Sequence, residues 1–278
     1  MTYRIKHTLA GLLITTALGF AQAPGGTGNA DDEEVFELSP FTVEDVQDGG
    51  YAATSTLAGS RIRSDIRDLG SSISITTKDF LTDTGATDGE SLLSLIGNVE
   101  VGGVLGNFSD ATDNNTNGAR NNPQSAQRVR GLSSASTTRD YFQTQIPFDS
   151  YNTSRVEVNR GPNSILFGLG SPGGIINNTT NVARIGQRFG EVGFRISHRG
   201  GHRATFDFNE TVIEDRLAIR VNYLNEEVIF KQKPAFENDE RYFVNFDLTL
   251  RKDNKDSWFG KTSIKGSFES GEIERNPP

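Results

Sequence analysis

Between residues 191 and 268 apolar and polar side chains alternate one by one, and no other feature restricts the fold of this chain as tightly. Val192, Phe194 and Ile196 alternate with Glu191, Gly193, Arg195 and Ser197; Ala204, Phe206 and Phe208 alternate with Thr205, Asp207 and Asn209. Leu217, Ile219, Val221 and Tyr223 alternate with Ala218, Arg220 and Asn222. Further on, Tyr242, Val244, Phe246, Leu248 and Leu250 alternate with Phe243, Asn245, Asp247 and Thr249. Thr262, Ile264 and Phe268 then oppose Lys261, Ser263 and Lys265. A period of two sends alternate side chains to opposite faces of an extended chain. Strands of about 10 residues, greasy on one face and charged on the other, suit a transmembrane barrel with lipid outside and a wet lumen inside. A soluble sandwich also alternates, but with shorter strands. Glu214-Asp215 and residues 252–256 read as short turns and residues 225–240 as a long loop. That asymmetry is the barrel pattern of short periplasmic turns and long outer loops, with residues 191–198 as the first upward strand.

Ahead of these strands lies a different kind of stretch, residues 154–180. Val156 and Val158 alternate with Arg155 and Glu157 as a short strand, and Arg160-Gly161-Pro162 ends it, because proline fixes φ and has no N–H. Ile165, Leu166 and Phe167 precede a glycine-dense bend from residue 168 to 174, after which Ile175-Ile176 resumes extended chain. The literal G-x-G-x-x-G over residues 168–173 is followed by Ile-Ile-Asn-Asn-Thr-Thr, which opens no helix, so it lacks the context of a dinucleotide site. Upstream, Ile73 and Ile75 mark a half-buried strand, and Thr77 caps a short helix that Gly85 ends. Thr87 with Glu90 makes a capping-box pattern before Leu92, Leu93, Leu95 and Ile96, spaced as one apolar helical face.

At the N-terminus Arg4, Lys6 and His7 precede an uncharged run over residues 9–20, and Ala21-Gln22-Ala23 has the small-x-small form of a signal-peptidase site. The run is too short for a membrane anchor, which needs about 20 apolar residues. Lys and Arg number 28 against 36 Asp and Glu, and the signal carries no acid, so the exported part is more acidic still and nucleic acid is excluded as a partner. With no cysteine there is neither a disulfide framework nor thiolate chemistry. Residues 33–43 are acidic, with apolar residues at alternating places and one proline, and suit addition to the edge of a partner's sheet or an ordinary linker strand. Residues 102–127 are mostly Gly, Asn, Asp, Ser and Thr, an exposed loop in which Asn114, Asn115, Asn117 and Arg120 are candidates to hydrogen-bond a solute. The run Asp113-Asn114-Asn115-Thr116-Asn117-Gly118 begins like a calcium loop, but position twelve is Gln124 where a bidentate glutamate is required. No catalytic grouping stands out: His198 and His202 flank a hairpin turn, and no serine sits in a nucleophile elbow.

Taken in order, Arg155-Val156-Glu157-Val158, Arg160-Gly161-Pro162, Phe167-Gly168 and Gly173-Gly174-Ile175-Ile176-Asn177 resemble the closing segment of the plug domain of TonB-dependent outer-membrane receptors. Gln127-Arg128-Val129-Arg130-Gly131-Leu132 and Arg139-Asp140-Tyr141-Phe142 resemble its arginine-glycine strand and the arginine-aspartate turn after it. Phe167 stands where a tyrosine is usual, and Pro147-Phe148-Asp149 roughly where the end of the family's valine-aspartate-glycine strand would be. The resemblance implies an α+β plug domain followed by the first antiparallel strands of a transmembrane β-barrel, which five strands leave incomplete where large plugged transporters have about 22. It implies a signal peptide at 1–23, a periplasmic extension at 24–50, a plug at 51–181 and barrel strands over 182–278, the N-terminal piece of a longer receptor. Val35, Phe36, Glu37, Leu38, Ser39, Pro40 and Phe41 are its TonB-box candidate, and Arg130, Gly131, Glu157, Arg160, Gly161, Pro162, Gly168, Gly173 and Gly174 carry its plug motifs. The implied function is uptake of a scarce solute across the outer membrane of a Gram-negative cell, with TonB and outer-membrane lipid as partners. A ferric siderophore, cobalamin and an oligosaccharide all remain open, and no cofactor, metal or catalysis is implied. The competing reading is a secreted β-rich surface adhesin without transport activity.

Overall fold

Strand β8 (Thr153–Arg160) is the centre of the N-terminal half, and its burial explains the layout around it. In the computed structural model, which describes residues 50–57, 64–103, 106, 126–161, 171–251 and 262–276, Val156 and Val158 are buried on one face. They pack against Leu81, Leu92, Leu93, Val99, Val101, Val129, Phe148 and Ile176. Burying each such side chain stabilises by about 1.5–3 kcal/mol. The opposite face is covered too, since Arg155 and Glu157 are 3% and 1% exposed. The sequence shows only a short strand alternating apolar and charged residues, and its second face is covered because those charges are paired inside the fold.

β8 lies between β3 (Ser72–Thr77) and β9 (Gly174–Thr180), antiparallel to both. β6 (Ser136–Arg139) adds parallel to β9, and β7 (Phe142–Gln143) closes the sheet in the order β3-β8-β9-β6-β7. Two-stranded pairs flank it: β1 (Ser55–Thr56) with β2 (Ser64–Asp65), and β4 (Val99–Val101) with β5 (Gln127–Val129). Thr77 Oγ1 accepts from Phe80 N to start α1 (Lys78–Thr84), and Gly85 at φ 67° ends it. The next helix departs from expectation. α2 (Gly89–Leu93) is capped by Asp88 with Ser91, not by Thr87 with Glu90: the Asp88 carboxylate takes Ser91 N at 2.8 Å, while the Thr87 carbonyl is engaged by Ser150 N. It is also short, so Leu95 is left exposed while Ile96 still packs on the core.

The C-terminal half is one antiparallel meander: β10 (Phe189–Ile196), β11 (His202–Ile213), β12 (Leu217–Ile229), β13 (Phe236–Arg251) and β14 (Thr262–Asn276). The expected long loop at 225–240 is largely strand, because β12 and β13 stay paired from Asn225↔Glu240 up to Ile229↔Phe236 and only residues 230–235 connect them. β14 likewise extends past Phe268 to Asn276. Loop length therefore gives no orientation, and the turn expected at 252–256 lies outside the described residues. Register assembles the outer face row by row. Phe208, Val221, Val244 and Phe268 are opposite one another, and so are Phe206, Tyr223 and Tyr242. The Tyr223 and Tyr242 rings lie 4.9 Å apart, and both hydroxyls donate to Glu240. Beyond them come Asn225, Glu240 and Glu272. An apolar band ended by an aromatic row and then carboxylates is how a strand leaves a membrane.

Candidate functional site

Inward-facing residues of the meander meet the plug through charge rather than grease. All described residues belong to one compact unit, Leu38–Pro278. A 3-10 turn, Ser150–Asn152, is capped by Asp149, whose Oδ1 accepts from Tyr151 N at 2.8 Å. That cap holds the buried carboxylate against β11, where Arg203 Nη2 and Nη1 donate to it at 2.6 and 3.0 Å. Arg203 also pairs with Glu226 of β12. From β13, Arg241 reaches the same carboxylate at 3.7 Å, binds Asp239, donates to the Pro147 carbonyl at 2.8 Å and lies over the Tyr151 ring. On β14, Glu269 accepts from Arg139, from the Tyr151 hydroxyl at 2.7 Å and from Asn152 Nδ2 at 3.4 Å. Burial raises the Tyr151 hydroxyl, so it stays protonated and donating. Tyr151 packs on Leu224 and Phe243, an apolar contact inside this polar seam. Lower on the wall, Arg220 clasps Asp207 at 2.8 and 2.7 Å and reaches the Val182 carbonyl, while Lys78 of α1 pairs with Asp207 at 3.1 Å.

These contacts are strong while dry, because charge-assisted bonds gain from a low dielectric. Admitting water screens them, which leaves the contact of Tyr151 with Leu224 and Phe243 as the apolar part of the seam.

The plug has two distinct ends. At one, Thr77 Oγ1 donates to the Gly50 carbonyl, where the described chain begins, and Asn181 N bonds the Asn152 carbonyl as the chain leaves for the wall. At the other, the stems of the 104–125 and 162–170 segments converge. Gly102 N bonds the Ala126 carbonyl, and the Gln127 amide clasps Ala135 at 2.7 and 3.0 Å. Ser171 joins Ser133, Ser134 and Ser136.

Of the motif residues, Arg130, Gly131, Arg160, Gly161, Gly173 and Gly174 gather at this loop end, and Glu157 lies apart from them, inside the sheet. Arg160 donates to Ser74 Oγ and to the Gly97 carbonyl, both at 2.8 Å, and burial together with the Arg130 charge lowers its guanidinium below the ordinary value. Gly174 has φ 125°, and a Cβ there would lie 2.0 Å from the Asn159 carbonyl oxygen. Gly174→Ala is therefore expected to destabilise this sheet by about 2–3 kcal/mol, read as a lowered urea midpoint of the protein in detergent. An unchanged midpoint would show that the strand can shift aside. Val35, Phe36, Glu37, Leu38, Ser39, Pro40, Phe41, Asn114, Asn115, Asn117, Arg120, Pro162 and Gly168 lie outside the described residues. Sequence reasoning missed Asp149, Arg203, Arg241 and Glu269. Their one advance signal is that charge recurs on the inward parity of the strands.

The family model for the TonB-dependent Receptor Plug Domain matches residues 65–175. The catecholate siderophore receptor Fiu of Escherichia coli is 28% identical over 241 residues, covering 84% of this chain and 29% of that receptor. The crystal structure of the outer-membrane ferripyoverdine receptor of Pseudomonas aeruginosa superposes with a TM-score of 0.66 at 18% identity, over 82% of this chain and 29% of that one. The closed form of the ferric-catecholate import receptor Fiu from E. coli K12 gives 0.58 at 22% identity, over 72% of this chain and 27% of that one. The chain thus spans about 29% of the length of such relatives. Residues 65–175 therefore carry a TonB-dependent receptor plug domain, and the chain as a whole is similar in fold to the plug and barrel-wall strands of such receptors.

Proposed function

We propose that this chain forms the plug and first wall of a receptor that carries a ferric siderophore across the outer membrane of a Gram-negative cell. The observation that carries this reading is the polarity of the plug. Both polar loop stems spring from one end, while the chain arrives and departs at the other. A solute held by the loops and a pull applied to the leading chain then act on opposite ends of one sheet. An outer membrane has no ATP, so uphill uptake through a plugged barrel needs coupling to the inner membrane, which TonB supplies by strand pairing with residues 35–41. The siderophore class is supported by the relatives, which are named for catecholate and pyoverdine ligands. On this reading residues 1–23 are removed on export, 24–50 extend into the periplasm, 51–181 form the plug and 182–278 join the barrel. Asn114, Asn115, Asn117 and Arg120 face the solute, and no chemistry is performed on it.

The test is growth of a deletion strain on single iron sources, with cobalamin and glycan sources alongside. Growth should fail on one ferric siderophore and return with the intact gene but not in a strain lacking TonB. A defect confined to cobalamin or to a glycan would overturn the siderophore assignment.

A further inference from the structure

Glu157 is a fully buried carboxylate on the central strand, on the face away from the hydrophobic core. Thr56 Oγ1 donates to its Oε1 at 2.8 Å, Arg155 Nη2 lies 3.0 Å from the same oxygen, and the Tyr141 hydroxyl donates to Oε2. Arg155 Nη2 also donates to the Ser55 carbonyl at 2.7 Å. Both residues of β1 are thus tied to β8 by side chains. Among the described strands β1 shares its ladder with β2 and not with the central sheet.

The third donor is delivered at a conformational cost. Between Arg139 and Phe142 the chain turns on Asp140 and Tyr141, at φ 47° and 67°. Two consecutive positive φ values define the tight hairpin turn that usually takes Asn-Gly, and a tyrosine there is strained. The turn is fixed from several sides. The Asp140 carboxylate accepts from Thr180 N at 2.9 Å and from Thr180 Oγ1 at 2.7 Å, and Tyr141 N donates to Asn177 Oδ1 at 2.8 Å. Strain held in this way marks a position where the side chain has a task. Burial and the neighbouring Glu157 raise the Tyr141 hydroxyl, which keeps its proton for the bond.

We propose that Glu157, with Arg155 and Tyr141, is the clamp that holds the leading strand on the plug and sets where a pull from the N-terminal side is resisted once the bonds ahead of it have given way. The proposal rests on the reading that such a pull arrives through residues 35–41. Ahead of the clamp the chain meets the bond from Thr77 to Gly50 and the exposed bond from Tyr51 to Asp83. Behind it the plug is bolted to the wall through Arg139, Asp149 and Tyr151. The clamp therefore divides a part that yields from a part that stays.

The test uses the whole receptor in detergent, with hydrogen exchange of residues 54–57 and the time to first extension under constant force on an N-terminal tether. Thr56→Val and Tyr141→Phe each remove one bond to a buried carboxylate without leaving a new charge. Each should speed exchange at 54–57 and shorten the time to extension by about tenfold to hundredfold. Tyr51→Phe should change either by less than about twofold, since its bond is in water. Exchange at Val156 and Val158 should stay as it is. Unchanged exchange and extension in both clamp variants would overturn the proposal, and so would an equal rise at Val156 and Val158, which means general loosening. Neither readout needs TonB or a solute. A negative result falls on the clamp, whereas uptake that persists without TonB falls on the reading beneath it.

Discussion

Replacing Asp149 by alanine should loosen the plug from the barrel wall by about 3 kcal/mol, the low end of the loss caused by removing one partner of a buried pair. The cost lies in the groups left behind. Arg203 and Arg241 come from β11 and β13, and each loses a carboxylate that shares its dry surroundings. Arg203 keeps Glu226 and Arg241 keeps Asp239, so neither charge is stranded outright, and the upper end of the range is not reached. Asp149→Asn keeps an acceptor for Tyr151 N and isolates the charge from the cap, so it should cost about half as much. The measurement is urea unfolding of the receptor in detergent, monitored by protease cleavage within residues 139–160. A double-mutant cycle with Arg203→Met should return a coupling of at least about 1 kcal/mol. Full additivity, with an unchanged midpoint for Asp149→Ala, would mean that the wall arginines are satisfied by their own strands and the plug is held elsewhere.

That seam also shows where the sequence is legible. Alternation on β11 to β13 can be read directly because lipid demands apolar residues on one face, so Phe206, Val221 and Val244 stand out against their neighbours. The inward charges carry no such label. Arg203 and Asp149 are 54 residues apart and Arg139 and Glu269 are 130 apart, and nothing local says which acid serves which base. The same physics hides the upper strands. Above Tyr223 and Tyr242 polar residues occupy both faces of β12 and β13, as Asn225, Glu226 and Glu227 opposite Glu240, Asp239 and Asn238 show. The alternation stops where the membrane would, and the chain reads as loop although its ladder continues. In the plug, Thr77 and Gly85 are sufficient signals for α1, because cap and αL terminus are local chemistry. The start of α2 is displaced by one residue because Thr87 and Asp88 are both competent caps, and only the bond from Ser150 to the Thr87 carbonyl decides between them. The second face of β8 is illegible for a related reason. Arg155 and Glu157 look solvent-facing until Thr56 and Tyr141 are brought over them from distant parts of the chain.

Glu37→Pro should abolish uptake while leaving solute binding intact, because parity decides which backbone groups can pair. In an added strand alternate N–H groups point toward the partner and the others away. Pro40 has no N–H, so it is tolerated only where that position faces away from the partner's ladder. Phe36 and Leu38 share its parity, so on the proposed pairing Val35, Glu37, Ser39 and Phe41 are left to bond with TonB. A proline at 37 removes a bond that pairing needs and strands an acceptor on the partner, a loss of about tenfold to hundredfold in affinity. Leu38→Pro alters the away-facing parity and should be far milder. Uptake of the radiolabelled ferric solute by whole cells, set beside equilibrium binding to isolated outer membranes, separates the two steps. Equal loss of binding and uptake in Glu37→Pro would point to a folding defect. Normal uptake would remove residues 35–41 from the coupling altogether, and a severe defect in Leu38→Pro with none in Glu37→Pro would keep the segment but reverse its register.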